Sequence, residues 1–246
     1  AAFDLRSSRL STGLTLSTVD LKQPIAHISI AFRAGSRFQS SDEAGFAHRI
    51  RNALGTDSSR AQGLTMLWQS GNIGAEVKAS VDRENIILSM SFPRDHATLG
   101  ASILSELAQP KLEPWDLEDA QASLASDVAH ISPAQRVLQL LHEAAYRNGP
   151  LAQSPFTNAQ NVGAADFRKL QAFANSRLTS SECAVVGVNV DHGELQQFFA
   201  ERAYIREGKG SSQKSSEYHG HGDVRLDRCP KTATVAVGGE APSLVD

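Results

Sequence analysis

The sequence predicts an α+β fold in which helices cover one face of a mostly antiparallel sheet. Two observations lead to this prediction. Segments with the two-residue alternation of strands and segments with the helical period follow one another in blocks, in the order β-β-α-α-β-β-α-α-α-α-β-α. Apolar residues make up 41% of the 246 residues, which is enough to fill a sizeable core.

The chain is expected to begin with two strands. Residues 13–19 alternate apolar side chains with small or polar ones. After Pro24, the side chains of Ile28, Ile30 and Phe32 fall on one face, which predicts a second strand that closes at a Gly-Ser pair.

Two helices and a hairpin are expected next. Ser41 is a candidate N-cap, because acidic residues follow it in what would be the first helical turn. Alternating apolar residues on both sides of a short polar turn predict the hairpin. The expected elements are helices over 43–54 and 60–69 and hairpin strands over 75–81 and 86–92.

Five more helices and one strand complete the first unit. Two of these helices, 114–130 and 133–146, begin near a proline, whose missing N–H is no loss in the first helical turn. The other expected elements are helices over 93–109, 164–175 and 191–204, a loop over 148–161 and a strand over 183–190.

The composition changes after residue 204. Residues 205–223 are rich in Gly, Ser, Lys and His and almost without apolar side chains, which predicts a linker after a first domain over 10–204. Apolar alternation returns over 224–237, so residues 224–246 are expected to hold the first strand of a second domain. A longer mature protein, near twice this length, is therefore expected.

Composition and charge exclude several classes of function. Twenty-four basic and 27 acidic residues give a net charge of −3 with no basic run, which disfavours nucleic-acid binding. No apolar stretch reaches the ~18–20 residues of a membrane span. Cys183 and Cys229 lie 46 positions apart, which excludes a disulfide scaffold or a four-cysteine zinc site and predicts free thiols.

The segment 34–52 carries the most informative motif. A strand end, an acidic link and a helix opening in Gly-Phe-Ala-His resemble the pitrilysin-like zinc peptidases and the mitochondrial processing peptidases. In that family, His-x-x-Glu-His supplies two zinc ligands on one helix face and a glutamate base. His48 matches the first ligand, Arg51 stands at the base position and Asn52 stands at the second ligand position.

These replacements remove the chemistry that the resemblance would imply. Arginine stays protonated and cannot act as a base, and its charge opposes a divalent cation. Asparagine is a poor zinc ligand. The third ligand of the family is a glutamate on a later helix, and the corresponding window, 121–130, offers only Asp127. No catalytic, cofactor-binding or metal residue is therefore expected, and His48 is expected to be a structural histidine.

The resemblance extends over about residues 10–204. It includes the glycine-rich hairpin with Asp-Arg-Glu-Asn at 82–85, the Leu-His-Glu-Ala-Ala-Tyr-Arg helix at 141–147, and the strand that ends at Asp191-His192. It implies a pitrilysin-like (LuxS/processing-peptidase-like) half followed by the start of a second half. Within the family, the lost zinc motif and Ala-Ala-Tyr-Arg-Asn at 144–148 are most similar to the core subunits of mitochondrial ubiquinol–cytochrome c reductase, complex III.

The resemblance to these core subunits implies a structural role and no enzymatic activity. Such a subunit lies at the matrix side of the inner membrane and carries no cofactor. It pairs with a core protein 1-like subunit and supports the cytochrome b, cytochrome c-type and iron–sulfur subunits. The alternative is the non-catalytic alpha subunit of the processing peptidase, which binds presequences. Its glycine-rich signature belongs to a second half, so these residues leave the alternative open.

Other candidate sites are weak. His219 and His221, with His192 at a distance, lack nearby cysteines or carboxylates and are expected to be solvated rather than metal-binding. Trp68 and Trp115 lie within helical patterns and are expected to be packing or interface residues.

Overall fold

A computed structural model describes residues 4–158, 162–163, 165–208, 215–220, 222–226 and 233–239. Among these residues, the protein contains a six-stranded sheet and seven helices of four or more residues. The strands are β1 (Leu5–Arg9), β2 (Thr15–Val19), β3 (Ile25–Phe32), β4 (Glu76–Val81), β5 (Ile86–Pro93) and β6 (Cys183–Val188). The helices are α1 (Phe46–Ala53), α2 (Gly63–Asn72), α3 (Ala97–Leu107), α4 (Asp116–Ala129), α5 (Pro133–Tyr146), α6 (Phe167–Arg177) and α7 (His192–Glu201).

The sheet has the strand order β1-β2-β6-β3-β5-β4. Four of its five neighbouring pairs are antiparallel, and the pair of β2 and β6 is parallel. The late strand β6 therefore lies between β2 and β3, which are consecutive in the chain. The predicted α+β class with a mostly antiparallel sheet is confirmed.

One face of the sheet forms the core. Alternate residues of β3 and β5 are almost completely buried, and the register places Ile30 opposite Leu88 and Phe32 opposite Ile86. Helices α1, α2, α3 and α7 contact strands of the sheet, α4 and α6 pack on α1, and α2 also packs on α3. Burial of each large apolar side chain contributes roughly 1.5–3 kcal/mol, so this layer is a main source of stability.

Most predicted elements are confirmed. The hairpin forms as β4 and β5, and α5 covers its expected residues. The prediction is wrong at the start of α1, which begins at Phe46 rather than 43. The capping box is formed by Ser40 and Glu43 rather than by Ser41, and it closes only a single turn over Ser41–Glu43. Gly45, with φ of 89°, then separates that turn from α1.

The start of α2 and strand β1 also differ from prediction. Helix α2 begins at Gly63 rather than 60, because Ser58 and Asp57 accept hydrogen bonds from Ala61 N–H (2.9 Å) and Gly63 N–H (2.8 Å) and hold these residues in a turn. Strand β1 was not expected, since it lacks apolar alternation, and it pairs with β2 at one edge of the sheet.

The exposure of the two tryptophans decides between the alternatives of packing and interface only in part. Trp68 and Trp115 are 68% and 61% exposed, so neither packs in the core, and an interface role stays a prediction. Cys183 is a buried free thiol, and burial raises its pKa. Cys229 lies outside the described residues.

The predicted division into domains stays a prediction. The strand expected within 224–237 falls partly outside the described residues, and the described parts, 222–226 and 233–239, contain no strand. Among the described residues, no helix has both the length and the apolar content needed to cross a bilayer.

Candidate functional site

His48 lies on α1 and is completely buried. Its Nδ1 accepts a 3.2 Å hydrogen bond from the backbone N–H of Thr157, and the Phe156 ring meets its ring edge-on at 5.2 Å. Because Nδ1 accepts, the proton of the neutral ring lies on Nε2, which donates to Asp127 at 3.0 Å. Both ring nitrogens of His48 therefore have protein partners.

Asp127 lies on α4 and receives three side chains of α1. Its Oδ2 accepts from His48 Nε2 at 3.0 Å, from Arg51 Nη1 at 2.8 Å and from Asn52 Nδ2 at 3.3 Å. The α1 residues occupy positions i, i+3 and i+4, which share one helix face. The structure thus brings together the three residues at the positions of the His-x-x-Glu-His motif and the carboxylate of the third-ligand window.

The charges of this cluster are balanced internally. Burial alone would raise the pKa of Asp127, but the hydrogen bond from His48, the Arg51 charge and the hydrogen bond from Asn52 together lower that pKa. Burial lowers the pKa of His48, and the Asp127 carboxylate offsets this only in part. At neutral pH the cluster therefore contains a neutral imidazole and one ion pair between Asp127 and Arg51.

The cluster connects α1 and α4 through the side chains that stand at the positions of the family's zinc ligands and base. Arg51 occupies the base position and points its guanidinium at Asp127, and it also donates to the Asn52 amide oxygen. The Asn52 amide nitrogen donates to Ser123 on α4 at 3.3 Å as well as to Asp127. Among the described residues, no group of three or more His, Cys, Asp and Glu side chains could hold a metal ion.

A loop between α5 and α6 seals the His48 side of the cluster. Thr157 Oγ1 donates to the Gly45 carbonyl at 3.2 Å. A β-carbon on Gly45 would lie only 2.5 Å from Thr157 Oγ1. Glycine is therefore required at position 45 both for this contact and for its positive φ. Phe156 and Thr157 could not be predicted as partners of His48, because the loop composition carries no periodic signal that would place them there.

A cavity of about 260 Å³ lies beside the cluster, between α1, α4 and α6. Leu117, Phe167 and Leu170 form part of its apolar wall, and Arg49 and Asp116 add charges of opposite sign. Burial raises the pKa of Asp116.

The other candidate histidines lie on separate elements. His192 begins α7, and its Nδ1 hydrogen-bonds to Thr18 Oγ1 of β2 at 2.7 Å. His219 contacts the end of α5 through its backbone N–H. His221 lies outside the described residues, so the expectation for this pair stays a prediction.

Comparisons with known proteins identify a family and several relatives. Residues 14–159 match the family model described as insulinase (Peptidase family M16). The human cytochrome b-c1 complex subunit 2, mitochondrial, is 27% identical over 225 residues, which are 90% of this chain and 49% of that protein. The Saccharomyces cerevisiae protein of the same name is 23% identical over 231 residues, covering 92% of this chain and 61% of that protein.

Two further matches extend the comparison. The Bos taurus mitochondrial-processing peptidase subunit alpha is 22% identical over 202 residues, covering 78% of this chain and 38% of that protein. The crystal structure of a protease from Helicobacter pylori superposes with a TM-score of 0.77 at 12% identity, covering 88% of this chain and 54% of that one, which shows the shared fold. The chain spans about half the length of the first curated relatives.

Proposed function

This chain belongs to the insulinase (M16) peptidase family, and we propose that it acts there as a non-catalytic structural core subunit of mitochondrial complex III, the cytochrome b-c1 complex. The resemblance to core protein 2 of that complex is supported by relatives from mammals and fungi that are named subunit 2 of the cytochrome b-c1 complex. The role proposed for the whole protein is to support assembly and stability of the complex.

One observation supports the absence of catalysis more than any other. The Arg51 guanidinium lies 2.8 Å from Asp127, the only carboxylate that the third-ligand window provides. A permanent cation at this position neutralises that carboxylate and replaces the glutamate base of the family motif. The residues that would bind zinc in an active relative instead hold α1 and α4 together.

The proposed partners follow from the same assignment. We propose pairing with a core protein 1-like subunit and contact with the cytochrome b, cytochrome c-type and iron–sulfur subunits. The proposed location is the matrix side of the mitochondrial inner membrane, where the protein is held peripherally by other subunits. The relatives' names, which include both "complex subunit" and "mitochondrial", support this assignment.

The alternative is a presequence-binding alpha subunit of the mitochondrial processing peptidase. The bovine alpha subunit is among the relatives, but its identity of 22% over 202 residues is below the 27% over 225 residues of the human complex subunit. The loss of the zinc motif fits both functions and does not distinguish them. The higher identity to the complex subunit is what favours the core subunit.

Blue-native electrophoresis of source mitochondria tests the assignment. Antibody against this chain should detect a band that also contains b- and c-type haem. A soluble band without haem that cleaves presequence peptides would support the alternative. Migration of the full natural polypeptide as a monomer in gentle detergent would contradict both, since permanent subunit interfaces typically bury more than ~2,000 Å².

A direct assay tests the absence of peptidase activity. The purified protein should cleave a fluorogenic presequence peptide no faster than a buffer blank, with or without added Zn²⁺. Cleavage that a chelator abolishes and His48→Ala removes would contradict the proposal.

A further inference from the structure

Helix α5 is amphipathic but contributes no residue to the core. Leu138 is 50% exposed, Ala134 is also exposed, and the other apolar side chains from Val137 to Tyr146 are only half-buried. Its most extensive packing is against the short turn Pro150–Ala152 that follows it. An apolar helix face without a place in the core needs other contacts to stay fixed.

Residues 215–220 and 222–226, here termed the strap, supply such contacts at the C-terminal end of α5. The His219 N–H donates to the Ala145 carbonyl at 2.9 Å. That carbonyl belongs to the last four of the helix, which have no partner within it. The Tyr218 ring meets the Tyr146 ring edge-on, with centroids 6.1 Å apart.

Gly222 makes the closest approach of the strap to the helix. A β-carbon at this position would lie 2.4 Å from the Ala144 carbonyl oxygen and 3.0 Å from its Cα. Both atoms belong to the helix backbone, which cannot move aside as a side chain does. Any residue other than glycine would therefore lift the strap from α5.

The helix end that the strap contacts leads into the loop that seals His48. Arg147 has φ of 49° and ψ of −109°, a conformation that a non-glycine residue keeps only when surrounding contacts hold it. The chain then continues to Gln153, whose carbonyl accepts from Ser36 Oγ at 3.0 Å, and to Thr157, which donates to His48. The strap, the end of α5 and the sealing loop thus form one continuous series of contacts.

We propose that docking of the strap on α5 orders the exit of that helix and, through it, the loop 149–158 over His48. The strap caps the Ala145 carbonyl of α5 and packs on Tyr146. The strained Arg147 conformation is thereby retained, and this conformation directs the chain toward Gln153 and Thr157. Release of the strap would loosen the loop that covers His48 but would not directly break the hydrogen bonds that His48, Arg51 and Asn52 donate to Asp127.

Hydrogen–deuterium exchange of the full chain tests this coupling, with Gly222→Ala as the main variant. The matched control is Gly239→Ala, because a β-carbon at Gly239 has no atom within 4 Å. We expect peptides covering 144–158 to exchange roughly fivefold faster in G222A, a factor that corresponds to about 1 kcal/mol, the net contribution of one hydrogen bond. The control should match the wild-type protein.

Tyr218→Ala provides a second variant that introduces no clash. It should accelerate exchange over 144–158 in the same direction. If G222A also accelerates peptides of β5, it has disturbed the whole unit, and Y218A then decides. Faster exchange confined to 215–226, with 144–158 unchanged, would overturn the proposal, because the strap would then lie passively on the helix.

Discussion

Arg51 and Asp127 form an ion pair across the junction of α1 and α4, with 2.8 Å between Nη1 and Oδ2. Their side chains are 25% and 27% exposed, so the pair is largely shielded from water. His48 donates to the same carboxylate oxygen from a completely buried ring. One carboxylate thus satisfies a buried donor and balances a fixed charge.

Replacement of Asp127 by alanine is expected to destabilise the protein by about 2 kcal/mol. The substitution leaves the His48 Nε2–H buried without an acceptor and Arg51 without a counter-charge, and such losses cost about 1–3 kcal/mol. Urea denaturation measures the change. Glu118→Gln, an exposed substitution on the same helix, should shift stability by less than about 0.5 kcal/mol. Equal losses in the two variants would show that the cluster contributes nothing specific.

Zinc binding should be absent in the wild-type protein and partly restored by Arg51→Glu with Asn52→His. The double substitution removes the competing cation, rebuilds two histidines four apart and leaves Asp127 as the third metal ligand. Metal analysis after dialysis against Zn²⁺ should give little zinc for the wild-type protein and more for the double variant. Adding His48→Ala to the double variant should abolish the gain. One tightly bound zinc per wild-type chain would contradict the expectation.

Local patterns explain why much of the fold could be predicted. Alternation encodes a buried face in β5 and a half-buried face in β4, and Pro133 marks the start of α5. Strand β1 could not be predicted, since residues such as Ser7 gain a strand environment only by pairing with Ser17 of β2. The parallel pairing of β2 with β6 likewise depends on contacts distant in sequence.

The candidate site was predictable only in part, for a similar reason. Helical spacing places His48, Arg51 and Asn52 on one face, and the sequence window leaves Asp127 as the single carboxylate. The contact of Thr157 with His48 spans 109 positions, and no periodic pattern leads to it. The sequence therefore predicts the residues of the motif but not the loop that buries them.

Two helical glycines should respond in opposite directions to alanine. A β-carbon on Gly100 would lie 2.6 Å from the ring of Phe92, which is almost completely buried and has no room to move. Gly100→Ala should therefore destabilise by about 1–3 kcal/mol. Gly71 of α2 has no atom within 4 Å of such a carbon, so Gly71→Ala should stabilise by roughly 0.5–1 kcal/mol. Thermal unfolding of both variants measures the sign of each change in stability. If Gly100→Ala stabilises the protein as Gly71→Ala does, the close approach of Gly100 to the Phe92 ring is refuted.

His142 on α5 should titrate below the ordinary histidine range. Burial lowers its pKa most, and the Arg83 charge lowers it further, while the hydrogen bond to the Leu138 carbonyl acts in the opposite direction. The unfolded chain therefore binds a proton at this residue before the folded chain does as the pH falls. The contribution of His142 to stability is fully present above the unfolded pKa of about 6.5 and declines as the pH falls toward the folded pKa.

The pH dependence of unfolding tests this sign. His142→Gln should reduce the loss of stability between pH 7 and pH 5, while part of the loss remains because burial also lowers the pKa of His48. The comparison of the variant with the wild-type protein isolates the His142 contribution, and NMR titration of the His142 ring measures its pKa directly. Arg83→Gln should raise that pKa by removing a nearby positive charge. A His142 pKa at or above 6.5 in the wild-type protein would contradict the burial that the structure assigns to this residue.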